Sequence, residues 1–325
     1  MTLAASGEAG AAIRDALKAL RKTPAAAQLA ALLYGDSLPD GLGAVSPMWL
    51  AGNAEAAFAF VSEKPRAGHK VRVRGEPASA GRTGASVVEI LNDDMPFLVD
   101  SVMGELQVRG LAVRQLLHPI FKTERDAAGR LKAVLGPGDQ NWSDGRQESY
   151  IAIHLAKPLS EAVQADLVGT LSAILDEVRA AVADWKPMLR LVEVAARRLE
   201  EAPANLPAGV LAESVAFLRW LAAGNFTFLG AREYRLAGNG EAGTLAPATA
   251  EGLGLLRDPE VHVPSRAAGH AGTTPGSLPL LITKASVPAR VHRRVYMDCV
   301  SVRTYRPLGD PDGEVRFVGL FTSRA

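Results

Sequence analysis

Three carboxylates crowd one short run of this chain, Asn92-Asp-Asp-Met-Pro-Phe-Leu-Val-Asp100. Carboxylates in this arrangement can do three kinds of work. They can cap a helix, hold a small ligand or a partner, or bind a metal or move protons. A metal site needs further ligands, and no nearby His or Glu is forced to converge on Asp93, Asp94 and Asp100. Capping accounts for two of the three. Ser86–Leu91 is a β-branched run that predicts a buried strand, and Phe97, Val99, Val102, Met103 and Leu106 then recur at helical spacing. Pro96 suits the first turn of a helix over 96–109, which places Asp93 and Asp94 beside its positive end. Gly110 is a good stop. The candidate ligand-binding or interface residues are therefore Asn92, Asp93, Asp94, Met95, Pro96, Phe97 and Asp100, with capping as the competing reading. No residue is assigned to catalysis, to a cofactor or to a metal.

Other chemistry-bearing groups have plainer readings. Gly238-Asn-Gly-Glu-Ala-Gly243 matches a dinucleotide fingerprint, but Pro247 interrupts the helix such a loop must enter, and Glu241 puts negative charge where phosphate would lie. A loop is the better reading. The histidines form no metal pair, and His118-Pro119 and His154 read as structural. Cys299 lies in an apolar run as an inert thiol. Arg290, His292, Arg293 and Arg294 concentrate cations at the start of a strand, where they could meet an anion or a partner, or simply be solvated. Phe226 and Phe228 are assigned to packing.

The elements that must position these groups fall into stretches. Residues 1–67 form an N-terminal helical segment, with helices over about 8–34, broken at Pro24, and 46–60. Residues 68–185 form a first module with strands at 70–74, 86–91, 111–122, 131–135 and 148–155 and helices at 96–109 and 159–184. This β-α-β-β-α order with an added edge strand is the ferredoxin-like plan. Residues 186–207 are a helical connector. Residues 208–325 form a second α+β module, with helix 209–223 and strands near 225–236, 278–284, 295–306 and 314–321. The expected class is α+β with antiparallel sheets. Strands 70–74 and 148–155 are the expected free edges, suited to side-by-side pairing.

Bulk properties narrow the function. The chain has 325 residues, is 48% hydrophobic and 22% charged, and carries a net charge of +1. That balance gives no electrostatic case for nucleic acid or an anionic membrane. No stretch is long and apolar enough to span a bilayer, and one cysteine forms no internal disulfide, which fits a cytoplasmic setting.

The run Asn92-Asp-Asp-Met-Pro-Phe-Leu-Val-Asp-Ser-Val102 resembles the N-terminal region of the large bacterial NAD-specific glutamate dehydrogenases. Two further blocks carry the same resemblance in the same order: Glu213–Tyr234, and Val291–Val300 continued by Gly313–Ser323. The resemblance implies a series of ACT-type modules that serve oligomer assembly and allosteric control. Its partners would be other copies of itself, a downstream dehydrogenase domain and a small amino-acid effector. The full-length enzyme would oxidise glutamate to 2-oxoglutarate and ammonium with NAD, while this region alone would hold no cofactor and show no turnover. The end of the chain directly after a strand fits a longer protein. In amino-acid-binding ACT domains the ligand sits near the first strand–helix loop, here Asn92 to Phe97, although the glycine usual in such loops is absent. The alternative is a free-standing ACT-like amino-acid sensor.

Overall fold

The computed structural model describes residue 15 and residues 24–34, 47–65, 68–76, 84–135, 145–202, 207–237, 244–248, 251–257 and 278–322. The Gly238–Gly243 fingerprint lies outside them. Two compact units divide the chain, Met1–Leu175 and Asp176–Ala325.

The first unit carries helices α1 (Pro24–Tyr34) and α2 (Pro47–Val61) ahead of its sheet. Its sheet contains β1 (Lys70–Glu76), β2 (Ala85–Asp93), β3 (Val113–Leu117), β4 (Ile120–Arg125), β5 (Leu131–Leu135) and β6 (Arg146–Leu155). Helix α3 (Leu98–Val108) connects β2 to β3, and α4 (Glu161–Ala183) follows β6. The order is β1-β2-β6-β4-β5, with β3 also on β6, and every pairing is antiparallel. Strands β2, β6 and β3 occupy the first, third and second places of the ferredoxin-like order. The strand beside β2 is β1, which comes from the N-terminal side of the module instead of after its last helix.

Alternation decides which side chains go where. Val87, Leu91, Tyr150 and Ala152 share one sheet face and pack under α1 and α2 with Leu29, Leu50, Phe60 and Phe121. The opposite face, with Val88, Ile90, Ile151 and Ile153, is buried too. Burial on both faces explains why Val87-Val-Glu-Ile-Leu91 and Tyr150-Ile-Ala-Ile153 are nearly continuous apolar runs. Leu167, Leu171, Ile174, Leu175 and Val178 form the buried stripe of α4, as their spacing predicts.

Two expectations are corrected in this unit. Strand 148–155 is not an edge: β6 lies at the centre and pairs with β2, β3 and β4. Hydrophobic alternation identifies a strand but not its neighbours. The free edge at 70–74 does hold among the described residues, where β1 pairs with β2 alone. The strand expected over 111–122 is two strands, β3 and β4, broken at His118-Pro119. Pro119 cannot donate to a ladder, and its carbonyl instead accepts the Tyr150 N–H at 3.1 Å.

The second unit begins within α4 and continues through α5 (Trp185–Glu200) and α6 (Ala208–Trp220). A tight turn at Leu221–Asn225, with Gly224 at φ 93°, leads into β7 (Phe226–Ala237). Strands β8 (Thr244–Pro247), β9 (Leu253–Gly254), β10 (Leu280–Pro288), β11 (Tyr296–Tyr305) and β12 (Pro311–Phe321) complete an antiparallel sheet ordered β10-β11-β12-β7-β8, with β9 on β7. Among the described residues its helices precede its strands, so the alternating order of the first module is not repeated. The helix in the expected connector places Met188, Val192, Ala195 and Leu199 in the second core, against Phe226, Phe228, Val300 and Phe317. Phe228 meets Phe226 and Phe317 edge to face, at 4.9 and 5.8 Å between centroids, which confirms the packing role read from the sequence. At Gly319 an added Cβ would lie 2.1 Å from the Thr227 carbonyl oxygen, so only glycine lets β12 approach β7 there.

Phe317 is fully buried in this aromatic layer. Phe317→Ala should therefore destabilise the second unit by about 3–5 kcal/mol, read as a lower urea midpoint at unchanged slope.

Candidate functional site

The polar loop after β2 was the sequence's first candidate, and the structure reassigns its carboxylates. Helix α3 begins at Leu98, with Phe97 before it in the left-handed region at φ 73° and no side-chain cap bond. The Pro96–Phe97 turn delays the helix start, and β2 continues through Asp93. Asp93 is therefore a strand residue, ion-paired to Lys64. Asp94 accepts a hydrogen bond from Gln147 Nε2 at 3.1 Å, and its backbone N–H donates to the Gln147 carbonyl. The capping expectation for Asp93 and Asp94 is thus corrected. Asn92 is buried, Met95 and Phe97 are half-buried, Pro96 and Asp100 are exposed, and Asp100 lies in the first turn of α3. The helix stop is as expected: Gly110 sits at φ 65°, and Gly110 and Leu111 donate back to Gln107 and Leu106.

Asp93 leads to a charged cluster not foreseen from the sequence. Register places Asp93 opposite Glu148 on the face that α1 and α2 cover. The Glu148 carboxylate has no exposure, and Arg125 grips it with two hydrogen bonds, from Nε and Nη2, each 2.8 Å. Lys64 Nζ lies 3.6 Å from the same carboxylate. Arg125 also donates to the carbonyls of Val61 and Gly129, at 2.8 and 2.9 Å, so it ties the end of α2 to the β4–β5 hairpin. Two cations answer two carboxylates in a paired lock, which leaves no member set apart as a nucleophile or proton carrier. Beside it opens a cleft of about 620 Å³, lined by Lys64, Thr123, Arg125, Lys132, Arg146 and Glu148 among others. No group of His, Cys, Asp or Glu suited to a metal ion occurs among the described residues.

A second network lies further along the same face. Glu89 sits in the middle of a buried strand, and its side chain has no exposure. Arg72 and Arg74 each donate Nε to Glu89 Oε2, at 2.7 and 2.8 Å, and the Tyr150 hydroxyl donates to Oε1 at 2.6 Å. Arg72 also donates to the Ala56 carbonyl and Arg74 to Asn53, both on α2. Burial alone would raise the Glu89 pKa. The hydrogen bond from Arg72, the charge of Arg74 and the hydrogen bond from Tyr150 outweigh it and hold the group below its ordinary value. His154 pairs with Glu76 at 2.9 Å, the structural partner its strand position implied.

The sequence carried one signal of this arrangement. A lone Glu inside Val87-Val-Glu-Ile-Leu91 must find a cation, and Arg72 and Arg74 alternate on the preceding strand. Lys64 carried no such signal. The cations of 290–294 lie in the turn before β11, not at the start of the strand, and Arg290 is paired with Glu177. Cys299 is buried, as expected, and burial raises its thiol pKa.

A six-stranded antiparallel sheet in this order, layered with helices, defines an ACT-type α+β module. Residues 29–171 match the family described as "Glutamate dehydrogenase, ACT1 domain", a span that takes in α2 and the whole first sheet. Residues 29–171 of the chain carry that domain. The chain is 34% identical over 247 residues to the NAD-specific glutamate dehydrogenase of Pseudomonas aeruginosa, which covers 73% of this chain and 15% of the relative. The enzyme of the same name from Halomonas elongata is 34% identical over 242 residues, covering 73% and 15%. That of Mycobacterium tuberculosis is 26% identical over 254 residues, covering 77% and 14%. The chain thus spans only about 15% of the length of the first two of these relatives.

Glu89→Gln should cost about 3 kcal/mol at neutral pH, because Arg72 and Arg74 lose their shared counter-charge. The folded-state pKa of Glu89 is depressed, so its contribution is complete above the ordinary value of 4.5 and is lost as pH falls through the lower folded value. Chemical denaturation across pH should show the wild-type advantage flat near neutrality and shrinking below that ordinary value. An advantage that grows on acidification would contradict the assignment.

Proposed function

We propose that this chain is the N-terminal regulatory and oligomerisation region of an NAD-specific glutamate dehydrogenase. The observation that carries this reading is the ACT1 match across the first unit, together with 34% identity to dehydrogenases several times longer than the chain. The whole protein would convert glutamate, NAD and water to 2-oxoglutarate, ammonium and NADH. Its catalytic groups and NAD site would lie in a part beyond this chain. The partners of this region would be other copies of itself and the dehydrogenase domain, with a small amino acid as effector. Neither nucleic acid nor membrane enters this reading, and the protein would work in the cytoplasm. No described helix is long and apolar enough to cross a membrane.

Self-association has a physical basis in the sheet edges. Strand β10 ends the second sheet and exposes Leu281, Ile282 and Val287. An apolar edge with unpaired backbone groups invites another strand. Charged edges resist such pairing, so Ile282→Lys should weaken association and leave the fold intact.

Two measurements test the reading. Purified 1–325 should give no glutamate-dependent NADH, and sedimentation at micromolar concentration should reveal dimers or larger species that Ile282→Lys diminishes. Turnover by the chain alone would overturn the placement of catalysis elsewhere. A strictly monomeric chain would overturn the oligomerisation role.

A further inference from the structure

At one end of the second sheet a cleft holds charges that the fold leaves unanswered. Its volume is about 570 Å³, and it opens between the end of α5, strand β7 and the β11–β12 hairpin. Register sets Gly313 of β12 between Arg235 of β7 and Thr304 of β11. An added Cβ on Gly313 would lie 2.2 Å from the Tyr234 carbonyl oxygen and 3.1 Å from Thr304 Oγ1, so glycine is required there. The strand between them thus places no side chain between Arg235 and Thr304, and both line the cleft.

The charged groups of the cleft fall into two sets. One set is neutralised locally: Arg198 donates to Glu233 at 3.1 Å, and Glu314 is ion-paired to Arg316. The other set is not. Among the described residues, the exposed side chains of Arg235, Arg306 and Glu201 make no hydrogen bond or ion pair. Asp312 accepts a hydrogen bond from the Thr304 hydroxyl at 2.6 Å but meets no cation among them. Tyr305 adds a neutral group in the same condition. Its ring packs against the second core, and its hydroxyl is buried with no hydrogen-bond partner. Burial raises its pKa, so it stays a donor at neutral pH. A buried hydroxyl without a partner is unfavourable, and an incoming acceptor relieves it.

Unpaired charges of both signs that line one cleft without meeting each other are complementary to a ligand that carries both. We propose that this cleft binds a small zwitterion, with its carboxylate on Arg235 and the Tyr305 hydroxyl and its ammonium between Glu201 and Asp312. Arg306, in the exposed turn before β12, adds to the field that draws the carboxylate in. The planar fork of Arg235 suits a carboxylate. Two sources share that chemistry, a free α-amino acid and a dipeptide. They differ in the separation of the two charges. The site is in the second unit, away from the Asn92–Phe97 loop, and does not require the regulatory reading to be correct.

Calorimetric titration of the 325-residue chain tests it with L-leucine and L-alanyl-L-alanine, each beside its C-terminal amide and its N-acetyl form. The amide lacks the carboxylate, and the N-acetyl form lacks the ammonium. At least one zwitterion should bind about tenfold more tightly than both of its single-charge forms, and the stronger zwitterion identifies the source. Arg235→Gln should abolish the preference over the amide, with Arg235→Lys keeping part of it. Glu201→Gln combined with Asp312→Asn should abolish the preference over the N-acetyl form. Tyr305→Phe should weaken binding about fivefold while the melting temperature holds or rises, because the hydroxyl has no protein bond to lose. Melting curves show which variants are folded, and the Lys variant carries the test if the Gln variant is not. Equal binding of a zwitterion and its single-charge forms, a preference over the amide undiminished in the Arg235 variants, or no heat from either zwitterion up to roughly 10 mM would each overturn the proposal. None of these outcomes bears on turnover or self-association, so this site can fail while the proposed function stands.

Discussion

A carboxylate with no solvent exposure must be answered by positive charge, and the first unit is organised around two of them. Glu89 and Glu148 lie on the same face of adjacent central strands. Glu89 recruits Arg72 and Arg74 from β1, which explains why an edge strand carries basic residues on its inner face. The same arginines reach α2 through Ala56 and Asn53, so the helix layer is tied to the sheet by polar as well as apolar contacts. Glu148 does the equivalent at the other end, where Arg125 joins β6, the β4–β5 hairpin and the last turn of α2. Buried pairs of this kind add little net stability over well-packed apolar residues, but breaking one leaves a charge uncompensated. They therefore favour one register over its neighbours, because a slip of a single residue would turn Glu89 and Glu148 to the opposite face, away from their arginines.

The second unit is held together differently. Its central feature is an aromatic layer, with Phe226, Phe228 and Phe317 in edge-to-face contact under the buried stripe of α5. Its salt bridges stand mostly at the surface, as between Arg219 and Glu193 or Glu200. Surface pairs contribute little. The least exposed of them is the Arg316–Glu314 pair, while the Asp184–Arg257 pair anchors the β9 segment through Gly254.

Most elements of this fold were legible because both apolar periods are strong. The β2 and β6 runs, the α4 stripe and the α6–Gly224–β7 boundary could all be read directly. What periodicity could not supply was adjacency. It identified β6 as a strand but could not show that three others pair with it. The carboxylate-rich loop was found, but its role was misjudged. Asp93 and Asp94 stand at the right spacing for caps, and the left-handed turn at Phe97 moves the helix start past them. Lys64 was illegible for a simpler reason: its partners lie 29 residues away at Asp93 and, more distantly in the chain, at Glu148.

The central place of β6 has a consequence for how the chain is made. β6 pairs with strands on both sides, and its partners in β2 lie 55 to 67 residues earlier, from Asp93 with Glu148 to Val87 with His154. Until a ribosome has released residue 155, β2 and β4 have no common neighbour, and each keeps an open row of backbone donors and acceptors. The β1–β2 and β4–β5 hairpins can close early because their contacts are local, but the sheet they share cannot. During synthesis this unit thus passes through a stage of separate hairpins with apolar faces uncovered, the stage at which a nascent chain most needs protection from its neighbours.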